Sequence, residues 1–321
     1  VLGTEFSKYN LYFVGNSKSD ISIMNSQFTG SIPALITPMK MDGAIDYASL
    51  ENLINWHIEQ QTDALVIAGT SGESATLSMA EHSELIAKAV EITDKRIPII
   101  AGTGANSTTE AIELTQHAKA SGADACLLVT PYYNKPVQQG LIEHFSLIAK
   151  TVDIPQILYN VPGRTCCDIL PETVAELAKI DNIIGIKDAT GDVQRLREMQ
   201  PLIKDIDSNF IFLSGEDGTT CEFILNGGHG GITVTGNAAP KLNRQMYAYA
   251  RQGEAAKAQE IDQKLQGLHC ELFCQSNPIP VKWALSQMGF CENSYRLPLT
   301  PLQAEFHSQV KKAMQQAEIN I

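Results

Sequence analysis

Lys187 follows the apolar run 183–186, so an amine stands where a hydrophobic segment stops. An amine attacks a carbonyl only in its neutral form, and a dry setting favours that form. Schiff-base formation with a keto compound is one reading of Lys187; the other is a lysine whose stem snorkels from a strand end or whose ammonium pairs with Asp188. Tyr159 ends the preceding apolar run, and a phenol there can carry protons to and from a carbinolamine. Thr70 in AGTSGES and Tyr133 in TPYYN add hydroxyls that extend such a relay. Each tyrosine alone reads better as a core aromatic with a satisfied hydroxyl; the convergence of four such groups favours chemistry. Arg164, five residues past Tyr159 in a turn marked by Pro162 and Gly163, can hold a carboxylate bidentately or serve as a solvated turn residue.

Three glycine-rich motifs invite a phosphate reading. GTGANS at 102–107 lacks the third glycine of a dinucleotide loop, and GGHGG at 227–231 reads as a tight turn into a strand. SGEDG at 214–218 lies where a barrel can cradle a phosphate, although no basic residue accompanies it. Cys270 and Cys274 stand one helical turn apart, but no second pair or neighbouring histidine completes a metal set, so no metal is expected.

Groups scattered this widely along the chain need a scaffold that gathers strand ends. Short apolar runs at 32–36, 64–67, 97–101, 125–129, 155–158, 183–186, 210–213 and 231–234 alternate with segments of helical spacing at 47–59, 80–93, 108–120, 139–150, 171–179, 193–203, 218–225 and 241–251. Strands too apolar to have a wet face, repeated eight times with helices between, predict a closed parallel (β/α)8 barrel rather than an open doubly wound sheet, with reactive groups at its carboxyl face. After residue 251 the pattern turns wholly helical, at 255–273, 280–288 and 301–317. The expected organisation is a leader over 1–27, with Met24 as a candidate start, a catalytic barrel over 28–251 and a helical extension over 252–321.

Composition narrows the function classes. The chain has 321 residues, of which 44% are apolar, enough for a continuous core. Its 24 basic and 36 acidic residues give a net charge of -12 with no basic run, which disfavours nucleic acid and anionic membranes as partners. No stretch reaches the ~18 apolar residues of a membrane span. Seven scattered cysteines without a CxxC pair suit reduced thiols in the cytoplasm.

From Phe28 to about Thr300 the chain resembles the dihydrodipicolinate synthase and N-acetylneuraminate lyase family of class I aldolase barrels. The resemblance rests on GTSGESATL, AGTGAN, TPYYN, YNVPGRT, GIKDAT and NPIPVKWAL taken together. It is nearest to the family's synthases and implies condensation of pyruvate with L-aspartate 4-semialdehyde in lysine and diaminopimelate biosynthesis. Lys187 then matches the Schiff-base lysine, Tyr159 the central relay tyrosine, Thr70 the relay hydroxyl, and Tyr133 the tyrosine that reaches into a neighbouring subunit's site. Arg164 matches the residue that receives the semialdehyde carboxylate, Ser71 the group that holds the pyruvate carboxylate, and Gly215 and Ile232 the lining of the pyruvate pocket. Ser71 departs from the family's usual threonine but keeps the hydroxyl. No organic cofactor is implied, because the protonated imine is itself the electron sink.

The resemblance further implies a homotetramer built as a dimer of dimers, and a site for L-lysine as inhibitor at Ser74, Ala75, Met79, His82, Asn106, Glu110 and Tyr132. Met79 stands where lysine-sensitive members commonly place a histidine. The rival reading within the family is a sugar-acid lyase of the N-acetylneuraminate type; TPYYN with GRT favours the synthase. A non-catalytic barrel that binds a keto acid is the alternative outside enzymes, and it gives no reason for Lys187, Tyr159, Thr70, Tyr133 and Arg164 to occur together.

Overall fold

Strands rich in Ile, Val, Leu and Ala on both faces must be covered on both, and the chain meets this demand by closing a sheet and wrapping it in helices. The computed structural model describes residues 25–320. Its strands are β1 (Gly30–Pro33), β2 (Leu65–Ile67), β3 (Ile99–Gly102), β4 (Ala125–Val129), β5 (Gln156–Asn160), β6 (Ile183–Asp188), β7 (Ile211–Ser214) and β8 (Gly230–Thr233). All ladders are parallel, in the order β1-β8-β7-β6-β5-β4-β3-β2. A parallel bridge from Ala34 to Val66, with the Leu35 amide donating to the Val66 carbonyl at 2.9 Å, joins the two ends into a nearly closed barrel.

Helices α1 (Tyr47–Glu59), α2 (Met79–Thr93), α3 (Thr108–Ala120), α4 (Gln138–Thr151), α5 (Pro171–Leu177), α6 (Val193–Ile203), α7 (Asp217–Leu225) and α8 (Pro240–Arg251) alternate with the strands. Side-chain caps set several starts: Asp46 accepts from the Ser49 amide, Asp192 from the Gln194 amide, and Ser78 forms a reciprocal capping box with Glu81. Pro171 and Pro240 open α5 and α8, where a missing N–H costs nothing. Beyond the barrel lie α9 (Ala255–Glu271), α10 (Ile279–Gln287) and α11 (His307–Gln316). Leu265, Leu268, Val310 and Met314 of α9 and α11 share one buried cluster with Leu50 of α1 and Met246 of α8, so these helices and the barrel's outer layer have a common core.

Inside the barrel, Ile32, Val66, Ile100, Leu127, Ile157, Ile184, Ile211, Leu213 and Ile232 form a filled core whose upper edge is Tyr159, Val161 and the half-buried Ala189. The leader expected over residues 1–27 falls outside the described residues as far as residue 24. Asn25 is 5% exposed, and its side-chain amide donates to the Asn209 carbonyl at 3.3 Å.

Two boundaries differ from expectation in a way that affects the site. β5 runs on to Asn160 and β6 to Asp188, because the ladder continues through the pairs Tyr159–Lys187 and Asn160–Asp188, and Asn160 Nδ2 bonds Asp188 Oδ2 at 3.2 Å. Tyr159 and Lys187 are thus strand residues, fixed by the sheet rather than by loops. The helix expected over 301–317 is shorter: a 3-10 turn at Ala304–Phe306 leads into α11.

Candidate active site

A register shift in β6, where Gln156 pairs with Ile183 but Ile157 with Gly185, resets the alternation after the interior Ile184. Ile186 packs in the outer layer, so Lys187 takes the interior face beside Tyr159 and Asp188 the opposite one. This overturns the pairing of Lys187 with Asp188: the Asp188 carboxylate receives Arg195 Nε and Asn160 instead. Lys187 is 6% exposed, and its Nζ lies 4.0 Å from the centroid of the Tyr159 ring. Among the described residues no carboxylate stands within ion-pair distance of that amine. Register explains the contact, since Tyr159 and Lys187 are paired neighbours on adjacent strands, which sets the ring beside the amine. Gly215 leaves room for the lysine stem: a Cβ at that position would lie 2.7 Å from Lys187 Cε. Ile232, 2% exposed, contributes to the apolar floor.

Glu216 follows Gly215. Burial and then the neighbouring Asp217 push its carboxyl above the ordinary range, while the Gly218 amide, His269 and Lys187 pull in the opposite direction. In the SGEDG turn Asp217 directs its carboxylate to the segment after β8, receiving the amides of Val234 at 2.9 Å and Thr235 at 2.7 Å. GTGANS has a packing explanation, since a Cβ at Gly104 would lie 2.3 Å from the Val129 amide nitrogen.

The loop after β2 carries Thr70, half-buried, and Ser71, 1% exposed. Asn277 Nδ2 donates to Ser71 Oγ at 3.0 Å, and Thr37 Oγ1 holds the Gly72 carbonyl at 2.7 Å. Arg164 lies in the single helical turn Pro162–Thr165 that follows β5, exposed, with Nη2 donating to the Asn277 carbonyl at 3.3 Å. Asn277 therefore touches two candidate substrate-holding residues that come from different strand ends. Tyr133 is 91% exposed with φ +75, so this chain leaves the ring outside its own barrel.

Of the candidate lysine positions, Tyr132 in the loop after β4 stands against Asn106 and Glu110 at the start of α3. Tyr132 is 40% exposed; burial and then the charge of Glu110 push its phenol up, with the Asn106 backbone opposing. Ser74 is half-buried, Ala75 exposed and Met79 37% exposed. His82 is 5% exposed, its Nε2 lies 2.8 Å from the Gly102 carbonyl, and its Nδ1 has no partner among the described residues.

Two clusters escaped the reading of the sequence. Arg195 spans Asp168 and Asp188 and donates to the Ile169 carbonyl at 2.7 Å, tying the outer face of β6 to the segment after Arg164. Glu73 and Lys282 form an ion pair of 2.5 Å with both side chains fully buried, and burial pulls the Lys282 ammonium down against the opposing effect of Glu73. The available signal was a charged residue inside each of the otherwise apolar or small-residue runs GESATL and NPIPVKWAL.

Comparison with known proteins places these features. The family model for the Dihydrodipicolinate synthetase family matches residues 27–317. A 4-hydroxy-tetrahydrodipicolinate synthase of Teredinibacter turnerae is 56% identical over 287 residues, which are 89% of this chain and 98% of that protein. Among solved structures, the chloride-inhibited dihydrodipicolinate synthase of Acinetobacter baumannii complexed with pyruvate matches with a TM-score of 0.88 and 51% identity, covering 91% of this chain and 99% of its own. The enzyme of Cyanidioschyzon merolae with lysine bound gives a TM-score of 0.88 at 36% identity, covering 92% and 99% of the two chains.

Proposed function

We propose that this chain, which belongs to the dihydrodipicolinate synthetase family, is a lyase with 4-hydroxy-tetrahydrodipicolinate synthase activity, condensing pyruvate with L-aspartate 4-semialdehyde through a Schiff base on Lys187. The observation that carries the mechanism is the buried Lys187 amine, free of a carboxylate partner among the described residues and 4.0 Å from the Tyr159 ring centroid. A structural lysine at 6% exposure would need a counter-charge to offset desolvation, whereas a nucleophile needs its lone pair unencumbered.

In the proposed reaction the Lys187 nitrogen adds to pyruvate C2, and the resulting carbinolamine loses water to give an iminium. Loss of a C3 proton forms the enamine, whose C3 attacks the aldehyde carbon of the second substrate. The amino group of that substrate then adds to C2, closing the ring and releasing Lys187. Tyr159 is the adjacent proton carrier and Thr70 a relay hydroxyl. Ser71 holds the pyruvate carboxylate, Gly215 and Ile232 shape its pocket, and Arg164 receives the semialdehyde carboxylate. The iminium supplies the electron sink, so no metal or organic cofactor enters this scheme.

Tyr133 belongs in this scheme to the site of a second copy, which the 91% exposure of its ring supports, and the assembly is a homotetramer made of dimers. L-Lysine acts as an inhibitor at the Tyr132, Glu110 and Asn106 patch, where the acid suits an ammonium group. Seven unpaired thiols suit a reducing compartment, and the enzyme works in the cytoplasm. Steady-state assays decide the activity: turnover of pyruvate with L-aspartate 4-semialdehyde, and none of N-acetylneuraminate, is expected. Cleavage of the sugar acid without the condensation would overturn the assignment.

A further inference from the structure

We propose that Lys282 is a positioning residue for the reaction: by gripping Glu73 it holds the Thr70–Ser71 loop in its pyruvate-binding shape, so that the helical extension as well as the barrel sets pyruvate affinity. The inference rests on the proposed role of Ser71 in holding the pyruvate carboxylate.

The loop is bracketed by two non-glycine residues in the left-handed region, Ala68 at φ +56 and Glu73 at φ +57. Such conformations persist only where the surroundings over-determine them. At Glu73 the surroundings come from the extension. One carboxylate oxygen receives Lys282 of α10, and the other receives the Arg296 amide at 3.3 Å. Tyr295 braces the ammonium, with its ring centroid 5.3 Å from Lys282 Nζ and its hydroxyl donating to the Ile279 carbonyl at 3.0 Å. Asn277, just before α10, bonds Ser71 Oγ and receives Arg164 on its carbonyl. Downstream, the Arg296 guanidinium holds the Thr76 carbonyl at 3.0 Å and Glu81 at 2.6 Å. Ser71 is thus held directly by Asn277 and, two residues on, by Lys282.

Energetics point to geometry rather than stability as the pair's contribution. Two fully buried charges lose hydration that their attraction only roughly offsets, so neutral residues of similar volume could fill the same space without loss of stability. They would not pull Glu73 into its left-handed position with the same force. Removing one partner leaves an unpaired buried charge and destabilises the fold, whereas removing both separates the geometric effect from the stability effect.

The test compares the unaltered 321-residue chain with Glu73→Gln/Lys282→Met, reading the melting temperature and the pyruvate concentration that half-saturates borohydride trapping. A second measurement follows amide exchange of the native chain with and without pyruvate. The double variant is expected to melt near the native chain while needing at least about tenfold more pyruvate, the factor that corresponds to about 1.4 kcal/mol of binding. Pyruvate is expected to slow exchange in residues 277–287 together with 69–77. A native chain that forms no adduct on Lys187 overturns the site reading and this inference with it. A native adduct accompanied by unchanged half-saturation in the double variant, or by protection of 69–77 alone, overturns the role of Lys282 and leaves the site reading intact. Should the double variant not fold, the exchange pattern of the native chain decides.

Discussion

Gly215 sits so close to the stem of Lys187 that a Cβ there would meet Cε at 2.7 Å, below any ordinary carbon contact. The absence of one side chain on β7's following residue is therefore what lets the amine stand beside Tyr159. A Gly215→Ala chain must move Ala189 or bend the lysine, at a cost of about 1–3 kcal/mol. Pyruvate trapping on Lys187 is expected to slow by roughly ten- to a hundredfold in a chain that still folds. An unchanged trapping rate would show that the stem yields freely and that Gly215 does not shape the site.

Among the described residues Arg164 bonds Asn277 and pairs with no acid, which leaves its guanidinium available to a substrate carboxylate. Arg164→Ala is expected to lower kcat/KM for the semialdehyde by about 10–100-fold, the range for losing a charge-assisted hydrogen bond, with a much smaller effect on the pyruvate KM. Equal losses for both substrates would instead assign Arg164 to holding Asn277.

Much of the barrel was legible because each strand's apolar run must be buried and several helices announce their start: Asp46, Ser78 and Ser107 cap α1, α2 and α3. The extension of β6 to Asp188 was not legible, since a charged pair normally ends an apolar strand. Burial of Asp188 is made tolerable by the tertiary partners Asn160 and Arg195, together with the amide of Thr190 two residues on. The grip of Lys282 on Glu73 joins residues 209 positions apart, a separation at which local pattern carries no information. The burial of His82 was hidden for a related reason, because its position on α2's inner face depends on how α2 docks against β3.

Inhibition by L-lysine is expected to be weak, because Met79 offers a thioether where a hydrogen-bonding side chain would serve the ligand. One missing neutral hydrogen bond costs about 0.5–1.5 kcal/mol, at most about tenfold in affinity. Calorimetric titration should show binding that Glu110→Ala removes. No heat at millimolar lysine, or binding indifferent to Glu110, would remove the inhibitor from the account.

Two histidines predict how the fold responds to acid. Burial lowers His57 to about 3 and His144 to about 4, from the ordinary 6.5. Below pH 6.5 the unfolded chain binds protons that these folded imidazoles refuse. The stability they contribute is therefore full above pH 6.5 and is lost as pH falls towards 4 and 3. Each fully differential proton contributes a slope of about 1.4 kcal/mol per pH unit. Melting temperatures from pH 7 to 5 should fall less steeply in His57→Gln than in the native chain; parallel profiles would show that His57 charges without penalty.

Borohydride reduction in the presence of pyruvate tests the central claim most directly, since it captures the imine on whichever lysine forms it. Intact-mass analysis should show one added pyruvate-derived group per chain, and peptide mapping should place it on Lys187 alone, with Lys187→Ala abolishing it. Lys282, fully buried against Glu73, should stay unmodified. An adduct on Lys282 or another lysine, or no adduct at saturating pyruvate, would contradict the Schiff-base mechanism at its first step.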